Sequence, residues 1–261
     1  MSNKIKFNIK IEKFPELIDR LEELAKIEDT IKMKIDNDHI LIYSMLGGNV
    51  MLAFKNFLLK REEFLDTNKE IESTIDIIIP SAKKFVKNLN FIKENQKITL
   101  EINYKESQDD ETILNARSLQ IVGGKLKVNW LTGEHYEVRD INKNVLKQRL
   151  DLKNRKWSFK ISKSDFSDVK KLSNINSERI INITVDSGIV TLSEKAAWEL
   201  EIDKLEQERN SNLILNKKFL NSINDDVENI EFNIFDSFML IKDENSNLML
   251  SFEQDFSDDE V

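Results

Sequence analysis

The chain has 261 residues and a formal net charge of −8 at pH 7, which argues against a generic nucleic-acid binder because such proteins are usually basic. It contains no cysteine, so disulfides, iron–sulfur clusters, thiolate zinc sites and cysteine nucleophiles are excluded. No apolar run approaches the roughly 20 residues that span a bilayer, and the first residues lack a signal-peptide pattern. We therefore expect an intracellular protein that binds no membrane.

The first part of the chain follows the order strand, helix, then three strands. Alternating apolar residues predict a half-buried strand at 4–10. Apolar residues at helical spacing then predict an amphipathic helix that carries Phe14, Leu17, Ile18, Leu21, Leu24 and Ala25. Turn residues separate three further predicted strands, at 31–35, 39–45 and 49–55.

The same order recurs from residue 73. A strand is predicted at 73–79, with Ser81 as the cap of the helix that follows. This helix has one apolar stripe, formed by Ala82, Phe85, Val86 and Leu89. Three strands complete the second copy, at 97–104, 113–121 and 125–131.

A third and a fourth copy occupy the second half of the chain. In the third copy, a predicted strand at 156–161 leads into a helix whose Ser162 and Asp165 resemble a capping box. Its three strands are predicted at 179–185, 188–192 and 196–202. The fourth copy has a short helix with Phe219, Leu220 and Ile223, flanked by predicted strands at 212–216, 228–234, 238–242 and 248–252.

Four copies of one element order indicate an α+β protein of two domains, each a duplicated strand–helix–three-strand unit. We place the N-terminal domain at 1–131, a charged connector at 132–155, and the C-terminal domain with an acidic tail at 156–261. The alternative is a generic α+β protein in which the repeat is coincidental, but the same order at four places is hard to obtain by chance.

Two stretches resemble the DNA polymerase sliding clamps, the family of proliferating cell nuclear antigen and of the clamps of large tailed phages. HILIYSMLGGNVMLAF at 39–54 resembles the paired strands late in the family's first repeat, and NLMLSFEQDFSDDE at 247–260 resembles its last strand and acidic tail. The composition, rich in Asn and Lys, suggests a phage protein, which would act in the cytoplasm of its host cell. The resemblance implies two DNA-clamp domains in a ring that has helices inside and sheets outside.

The resemblance also implies a function without catalysis. Sliding clamps encircle duplex DNA regardless of its sequence, are placed there by a clamp loader, and tether the replicative DNA polymerase and other replication proteins. Their rings carry six domains, so two domains per chain imply a homotrimer. Two other classes remain open at this point, a β-rich structural or assembly protein of a phage particle and a carboxylate-metal nuclease.

A ring that surrounds DNA needs basic helices, although this chain is acidic. Three of the four predicted helices meet that demand, and their lysines would contact phosphates without reading bases. These candidate DNA-binding residues are Lys83, Lys84, Lys87, Lys163, Lys170, Lys171, Lys217 and Lys218. The first helix departs from the pattern, because it carries Glu12, Glu16, Asp19, Glu22 and Glu23.

Two amphipathic strands are candidates for the subunit interface. By the resemblance, the last strand of the second copy pairs with the last strand of the third copy of a neighbouring subunit. Opposite charges and apolar residues would then face each other across this junction. The residues concerned are Lys125, Lys127 and Trp130 on one strand, and Trp198, Glu199 and Glu201 on the other. The alternative is that both are ordinary amphipathic strands within one subunit.

The remaining prediction is a slot for a partner peptide near the connector. Its candidate residues are Met45, Val50, Val138, Ile141 and Phe252, each of which could equally belong to the core. His39 and His135 have no metal-binding spacing, and no arrangement of serine and histidine suggests a nucleophile. We expect no cofactor, no metal ion and no enzymatic activity.

Overall fold

The computed structural model describes residues 3–47, 53–66, 70–93, 97–107, 112–134, 137–141, 150–176, 178–195, 197–223, 227–242 and 246–252. The chain divides into two compact units. Unit 1 comprises Met1–Leu46 and Lys55–Ile141, and unit 2 comprises Gly47–Phe54 and Asn142–Val261. None of the helices in the described ranges is long and apolar enough to cross a membrane.

Unit 1 contains nine strands and three α-helices within its described residues. In chain order they are β1 (Asn3–Ile9), α1 (Phe14–Ala25), β2 (Thr30–Ile35), β3 (His39–Leu46), β4 (Ala53–Lys60, in this unit from Lys55), α2 (Arg61–Phe64), β5 (Leu65–Asp66), β6 (Thr74–Pro80), α3 (Ala82–Leu89), β7 (Ile98–Glu106), β8 (Ile113–Gly123) and β9 (Leu126–Leu131). A single 3-10 turn, Ile11–Lys13, precedes α1.

The strands of unit 1 hydrogen-bond in the order β4-β3-β2-β6-β8-β7-β1-β5, and β9 pairs with β8. The pairing of β6 with β8 is parallel, at Thr74–Asp76 and Ile113–Asn115. The two predicted apolar stripes are confirmed, because the same residues of α1 and of α3 are the buried ones. These stripes pack into one core with the inward faces of the sheet, so the polar sides of both helices remain outside it.

Unit 2 contains eight strands and one α-helix within its described residues. They are β10 (Trp157–Ser162), α4 (Lys163–Ile175), β11 (Ile180–Asp186), β12 (Ile189–Glu194), β13 (Trp198–Lys204), β14 (Ser211–Asn216), β15 (Asn229–Ile234), β16 (Phe238–Lys242) and β17 (Ser246–Ser251). One 3-10 helix, Leu152–Asn154, precedes β10, and another, Lys217–Ser222, follows β14. Within the unit, β10-β15-β16-β17 form one antiparallel run and β13-β12-β11-β14 form a four-stranded sheet.

Each predicted strand overlaps an observed one, but some boundaries and elements differ. The strand predicted at 49–55 overlaps β4, which spans Ala53–Lys60, and residues 49–52 of the prediction lie outside the described residues. The short α2 and β5 that follow it were not predicted. The fourth helix is a 3-10 helix, not an α-helix, and it lasts only six residues.

The two predicted helix caps have different outcomes. The Ser162 hydroxyl accepts a hydrogen bond from the Asp165 N–H (3.1 Å), so that cap is confirmed. Ser81 was predicted wrongly, because its φ is 51° and its side chain makes no capping bond. The first N–H groups of α3 are instead satisfied by Asp29, whose carbonyl accepts from Ala82 N and whose carboxylate accepts from Lys83 N, at 2.9 and 2.8 Å.

Candidate functional site

Helix α3 places three of the predicted lysines together on its outer side. Its buried stripe faces the core, and Lys83, Lys84 and Lys87 are exposed. Lys87 lies three residues after Lys84 and four after Lys83, and these two spacings place it beside both lysines on the helix surface. Phe91, just beyond the helix, is 75% exposed. The face is cationic and open, as contact with a phosphate backbone requires.

Helix α4 carries a weaker cationic face. Lys163 and Lys171 are exposed, and Lys170 is half-buried with its Nζ 4.9 Å from the centre of the Phe166 ring. Lys171 donates to Asp168 at 2.9 Å. An exposed pair of this kind contributes about 0–1 kcal/mol, so an incoming phosphate can compete with Asp168 for the ammonium group.

The two lysines of the second 3-10 helix differ from each other. Lys218 is exposed, with its Nζ 4.9 Å above the Phe219 ring. The Lys217 ammonium donates to the Asn176 carbonyl at 2.7 Å and to Glu194 Oε1 at 3.0 Å. Glu194 is 1% exposed, and a buried carboxylate needs a counter-charge. The role predicted for Lys217 stays a prediction, and in this structure its charge is engaged by Glu194 and Asn176 within unit 2.

The acidic character of α1 is partly explained by pairing within unit 1. Glu23 accepts from the buried Lys55 ammonium at 2.6 Å and from Arg20 at 3.4 Å. Asp19 and Glu22 remain exposed. The limited desolvation of the Asp19 carboxylate, followed by the charges of Glu22 and Glu23, raises its pKa. Sequence reasoning could not find the Lys55 partner, because it lies 32 residues away in the chain.

The strands predicted to join subunits are both sheet edges. Strand β9 pairs only with β8, and β13 pairs only with β12, among the strands of the described ranges. Lys125 and Lys127 are exposed at one edge, and Glu199 and Glu201 are exposed at the other. Leu131, the last residue of β9, is 79% exposed. Among the described residues, each of the two strands therefore has one strand neighbour and carries two exposed side chains of like charge on or beside it.

Both edge strands carry a tryptophan that is held within its own unit. The Trp130 indole lies 5.3 Å from the Phe85 ring and donates to the Pro80 carbonyl at 3.0 Å. The Trp198 indole donates to Glu194 Oε2 at 2.7 Å. Glu194 was missed by the sequence analysis, although the alternation of Val190, Leu192 and Glu194 in one strand places its side chain on the buried face.

The predicted partner slot is only partly described. Met45 and Ile141 are half-buried and Val138 is buried, all three in unit 1. Val50 lies outside the described residues, and Phe252 is a half-buried residue of unit 2. The slot therefore stays a prediction.

The first part of the connector is fastened to the sheet of unit 1. The Asp140 carboxylate pairs with Lys32 at 3.1 Å and with Lys34 at 2.5 Å, and the Tyr43 hydroxyl donates to the Arg139 carbonyl at 3.3 Å. Burial raises the pKa of Asp140, but its hydrogen bonds and charge contacts with Lys34 and Lys32 outweigh burial and hold this pKa below its ordinary value. These contacts position Val138 and Ile141, which flank the fastened residues.

One acidic cluster among the described residues has the composition of a cation site. Asp36, Asp38 and His39 bring their ligand atoms within 4.8 Å of one another. The Asp36 carboxylate, however, accepts from the N–H groups of Asp38 and His39, at 2.9 and 2.7 Å. This geometry is that of a turn between β2 and β3, which accounts for the cluster without an ion.

The fold defined by these two units is that of the DNA sliding clamps. The Helicobacter pylori beta clamp bound to a DNA ligase peptide has a TM-score of 0.66 and 17% identity, over 97% of this chain and 66% of that chain. The Bacillus subtilis DNA polymerase sliding clamp has a TM-score of 0.64 and 13% identity, over 97% and 65%. The PCNA2–PCNA3 complex from Sulfolobus tokodaii has a TM-score of 0.60 and 12% identity, over 96% and 99%.

The similarity lies in the fold and not in the sequence. No protein-family model matches the chain, and no curated protein matches it in sequence. The chain spans just under two thirds of the length of the bacterial clamps and nearly all of the archaeal subunit.

Proposed function

We propose that this chain is the subunit of a sliding clamp, a non-catalytic processivity factor that encircles duplex DNA and tethers a DNA polymerase. The observation that carries the proposal is the clamp fold over 97% of the chain. The exposed lysines of α3 on a chain of net charge −8 support it. Contacts made only with phosphates are insensitive to sequence, and a clamp that slides needs this property.

The proposed DNA contacts are six exposed lysines together with the half-buried Lys170. They are Lys83, Lys84, Lys87, Lys163, Lys170, Lys171 and Lys218. Lys217 is left out because Glu194 and Asn176 engage it. Since α1 carries exposed Asp19 and Glu22, the other helices would make most of the contact with DNA.

The proposed assembly is a homotrimer that closes through β9 of one subunit and β13 of the next. Six-domain rings require three chains of two domains. The positive edge of β9 and the negative edge of β13 are complementary, and pairing them would satisfy backbone groups that exposed edges leave open. The contact is heterologous, so it must close into a ring or continue as a filament.

The proposed partners are a DNA polymerase, a clamp loader and other replication proteins. One structural neighbour is a beta clamp with a bound DNA ligase peptide, which supports peptide docking as the means of recruitment. We propose Met45, Val50, Val138, Ile141 and Phe252 as the apolar residues of the docking slot. A tailed phage remains the proposed source of the protein.

The test is topological retention on DNA, which needs no loader. The protein is mixed with linear duplex that has biotin at both ends, streptavidin then blocks the ends, and the sample is washed with concentrated salt. A closed ring threaded on the duplex should survive this wash, because salt weakens phosphate contacts but not a topological link. Cutting the duplex with a restriction enzyme should release it.

Two further measurements complete this test, the native mass of the protein and the salt dependence of DNA binding by a variant that lacks the α3 lysines. Light scattering should give three times the chain mass of 30.6 kDa. For the variant K83A/K84A/K87A, we expect the logarithm of the DNA-binding constant to depend less steeply on the logarithm of salt concentration. This salt slope should decrease in magnitude by up to about 0.9 per lost phosphate contact. A matched control removes three exposed lysines on or beside strands, K97A/K105A/K160A, and should leave the slope unchanged. Retention that is equally lost with blocked and free ends, or an open filament, would favour a structural phage protein instead.

A further inference from the structure

We infer that the buried Glu194 is a positioning residue for the subunit junction. It holds Trp198 at the start of β13, and it ties this edge to the end of α4 and to the 3-10 helix that carries Lys218. The inference rests on the proposed function and deepens it, because it names the groups that keep the β13 edge ready for a second copy of this chain.

The Glu194 carboxylate is enclosed and receives three donors. Trp198 Nε1 donates to Oε2 at 2.7 Å, Asn176 Nδ2 donates to the same oxygen at 3.0 Å, and Lys217 Nζ donates to Oε1 at 3.0 Å. Lys217 Nζ also donates to the Asn176 carbonyl at 2.7 Å. The Glu194 side chain is fully buried. Because every member of the network is satisfied by another, the network holds its members in one arrangement.

The network lies where it can set the position of the edge strand. Glu194 is the last residue of β12 and lies opposite Trp198, the first residue of β13. Asn176 follows α4 directly, and Lys217 begins the 3-10 helix. One carboxylate therefore joins the beginning of the proposed junction strand to two segments that carry proposed DNA contacts.

A β-bulge near the C-terminal end of β13 limits the part of this strand that can pair regularly with a second subunit. Thr191 lies opposite Glu201 and Val190 lies opposite Asp203, so Ile202 is an extra residue in β13. Beyond this bulge, the Asp203 carboxylate accepts from the Lys160 N–H of β10 at 2.7 Å. A bulge interrupts regular pairing, so the regular edge is restricted to residues 198–201, which include the exposed Glu199 and Glu201.

The complementary edge is held in a similar way. The Trp130 indole of β9 donates to Pro80, two residues before α3, and its ring packs against Phe85 of α3. Both proposed junction strands are thus fixed before association by a tryptophan N–H. An edge that is ordered in advance loses less conformational freedom on association, and it therefore binds its partner more tightly.

A pair of double variants isolates the acceptor for Trp198. In E194Q/K217M, the amide carbonyl at position 194 still accepts from Trp198 and no unpaired charge is buried. In E194M/K217M, the side chain has similar volume but cannot accept a hydrogen bond. The trimer dissociation constant, measured by sedimentation equilibrium over a dilution series, should stay near the wild-type value in the first variant. It should rise at least about tenfold in the second, by analogy with other hydrogen bonds to buried groups.

Two single variants distinguish a specific effect on the trimer dissociation constant from a general loss of folding. W198F keeps an aromatic ring and removes only the N–H donor, so it should also raise the trimer dissociation constant. W157F removes the indole of β10, which lies outside both junction strands, and should leave the constant unchanged. In a W130F/W157F background, Trp198 is the one remaining tryptophan. The wavelength of its maximum fluorescence emission should shift in E194M/K217M but not in E194Q/K217M.

The outcomes separate the inference from the proposed function. A wild-type trimer with equal dissociation constants for E194Q/K217M and E194M/K217M would overturn the role of Glu194 and leave the clamp intact. A wild-type chain that is monomeric at every concentration would overturn the junction itself, and the inference with it. If E194M/K217M does not fold, an unchanged trimer in W198F is the result that overturns the inference.

Discussion

At the scale of single residues, buried charged residues of unit 1 form ion pairs that hold the first part of the connector. Lys32 is 1% exposed and pairs with Asp76 at 3.0 Å and with Asp140 at 3.1 Å. Burial raises the pKa of Asp76, against the opposing charge of Lys32. One oxygen of Asp76 has no hydrogen-bond partner. Asp76 therefore depends mainly on the Lys32 ammonium group, with a smaller favourable contribution from the charge of Lys34.

Removal of Lys32 should destabilise the protein strongly. We expect K32A to lower the free energy of unfolding by about 3–5 kcal/mol, because it leaves the Asp76 carboxylate buried without the cation that pairs with it directly. The double variant K32M/D76L should unfold close to the wild type, since Asp140 retains Lys34 and no buried charge is left alone. Urea unfolding measures both values, and a double variant as unstable as K32A would contradict this account.

At the scale of elements, the two lysine-bearing α-helices begin by different means. Helix α4 is capped by the residue directly before it, since Ser162 accepts from Asp165 N. Helix α3 is capped by Asp29, which lies 54 residues before Lys83 in the chain. A local cap is visible in the sequence as a short motif, and a distant cap depends on how the chain folds.

Serine substitutions at the two helix starts should therefore differ. S162A should lower the free energy of unfolding by about 1 kcal/mol through loss of a capping bond, and S81A should change it little because the Ser81 side chain caps nothing. D29A should behave like S162A. Thermal unfolding of the three variants measures these effects. Equal losses in S81A and S162A would show that capping is not the cause.

At the scale of the whole molecule, the segregation of charge gives the acidic chain one basic edge. Lys125 lies just before β9 and Lys127 lies within it, and Glu199 and Glu201 lie within β13. All four side chains are exposed. Opposite charges across paired strands stabilise the pairing, and like charges oppose it. In a ring of identical subunits, each interface would pair the basic β9 edge of one subunit with the acidic β13 edge of the next.

If the proposed ring forms, charge reversal on one strand should open it, and a second reversal on the other strand should close it. K125E/K127E and E199K/E201K should each shift the native mass from trimer toward monomer, because like charges then meet at every junction. The fourfold variant restores opposite charges and should recover the trimer. Light scattering at low salt measures all three, since salt screens exposed charges. An unchanged mass in K125E/K127E would show that this edge is not the interface.

Much of the fold could be predicted because burial follows local periodicity. The stripes of α1 and α3 were identified from spacing alone, and the structure buries those same residues. The repeated order of strands and helices is likewise written in alternation and turn residues. The 3-10 helix at Lys217–Ser222 was less predictable, because six residues carry too little pattern to distinguish it from a short α-helix.

The sequence by itself determined the repeated architecture, the candidate helices and the two oppositely charged strands, since each is a property of neighbouring residues. Only the tertiary structure decided that Lys217 is engaged by Glu194 while Lys218 is exposed. It also decided that Asp29 and not Ser81 caps α3, and that β9 and β13 are sheet edges. The physical reason is that the free energy of a charge or a backbone group depends on which distant residues fold against it.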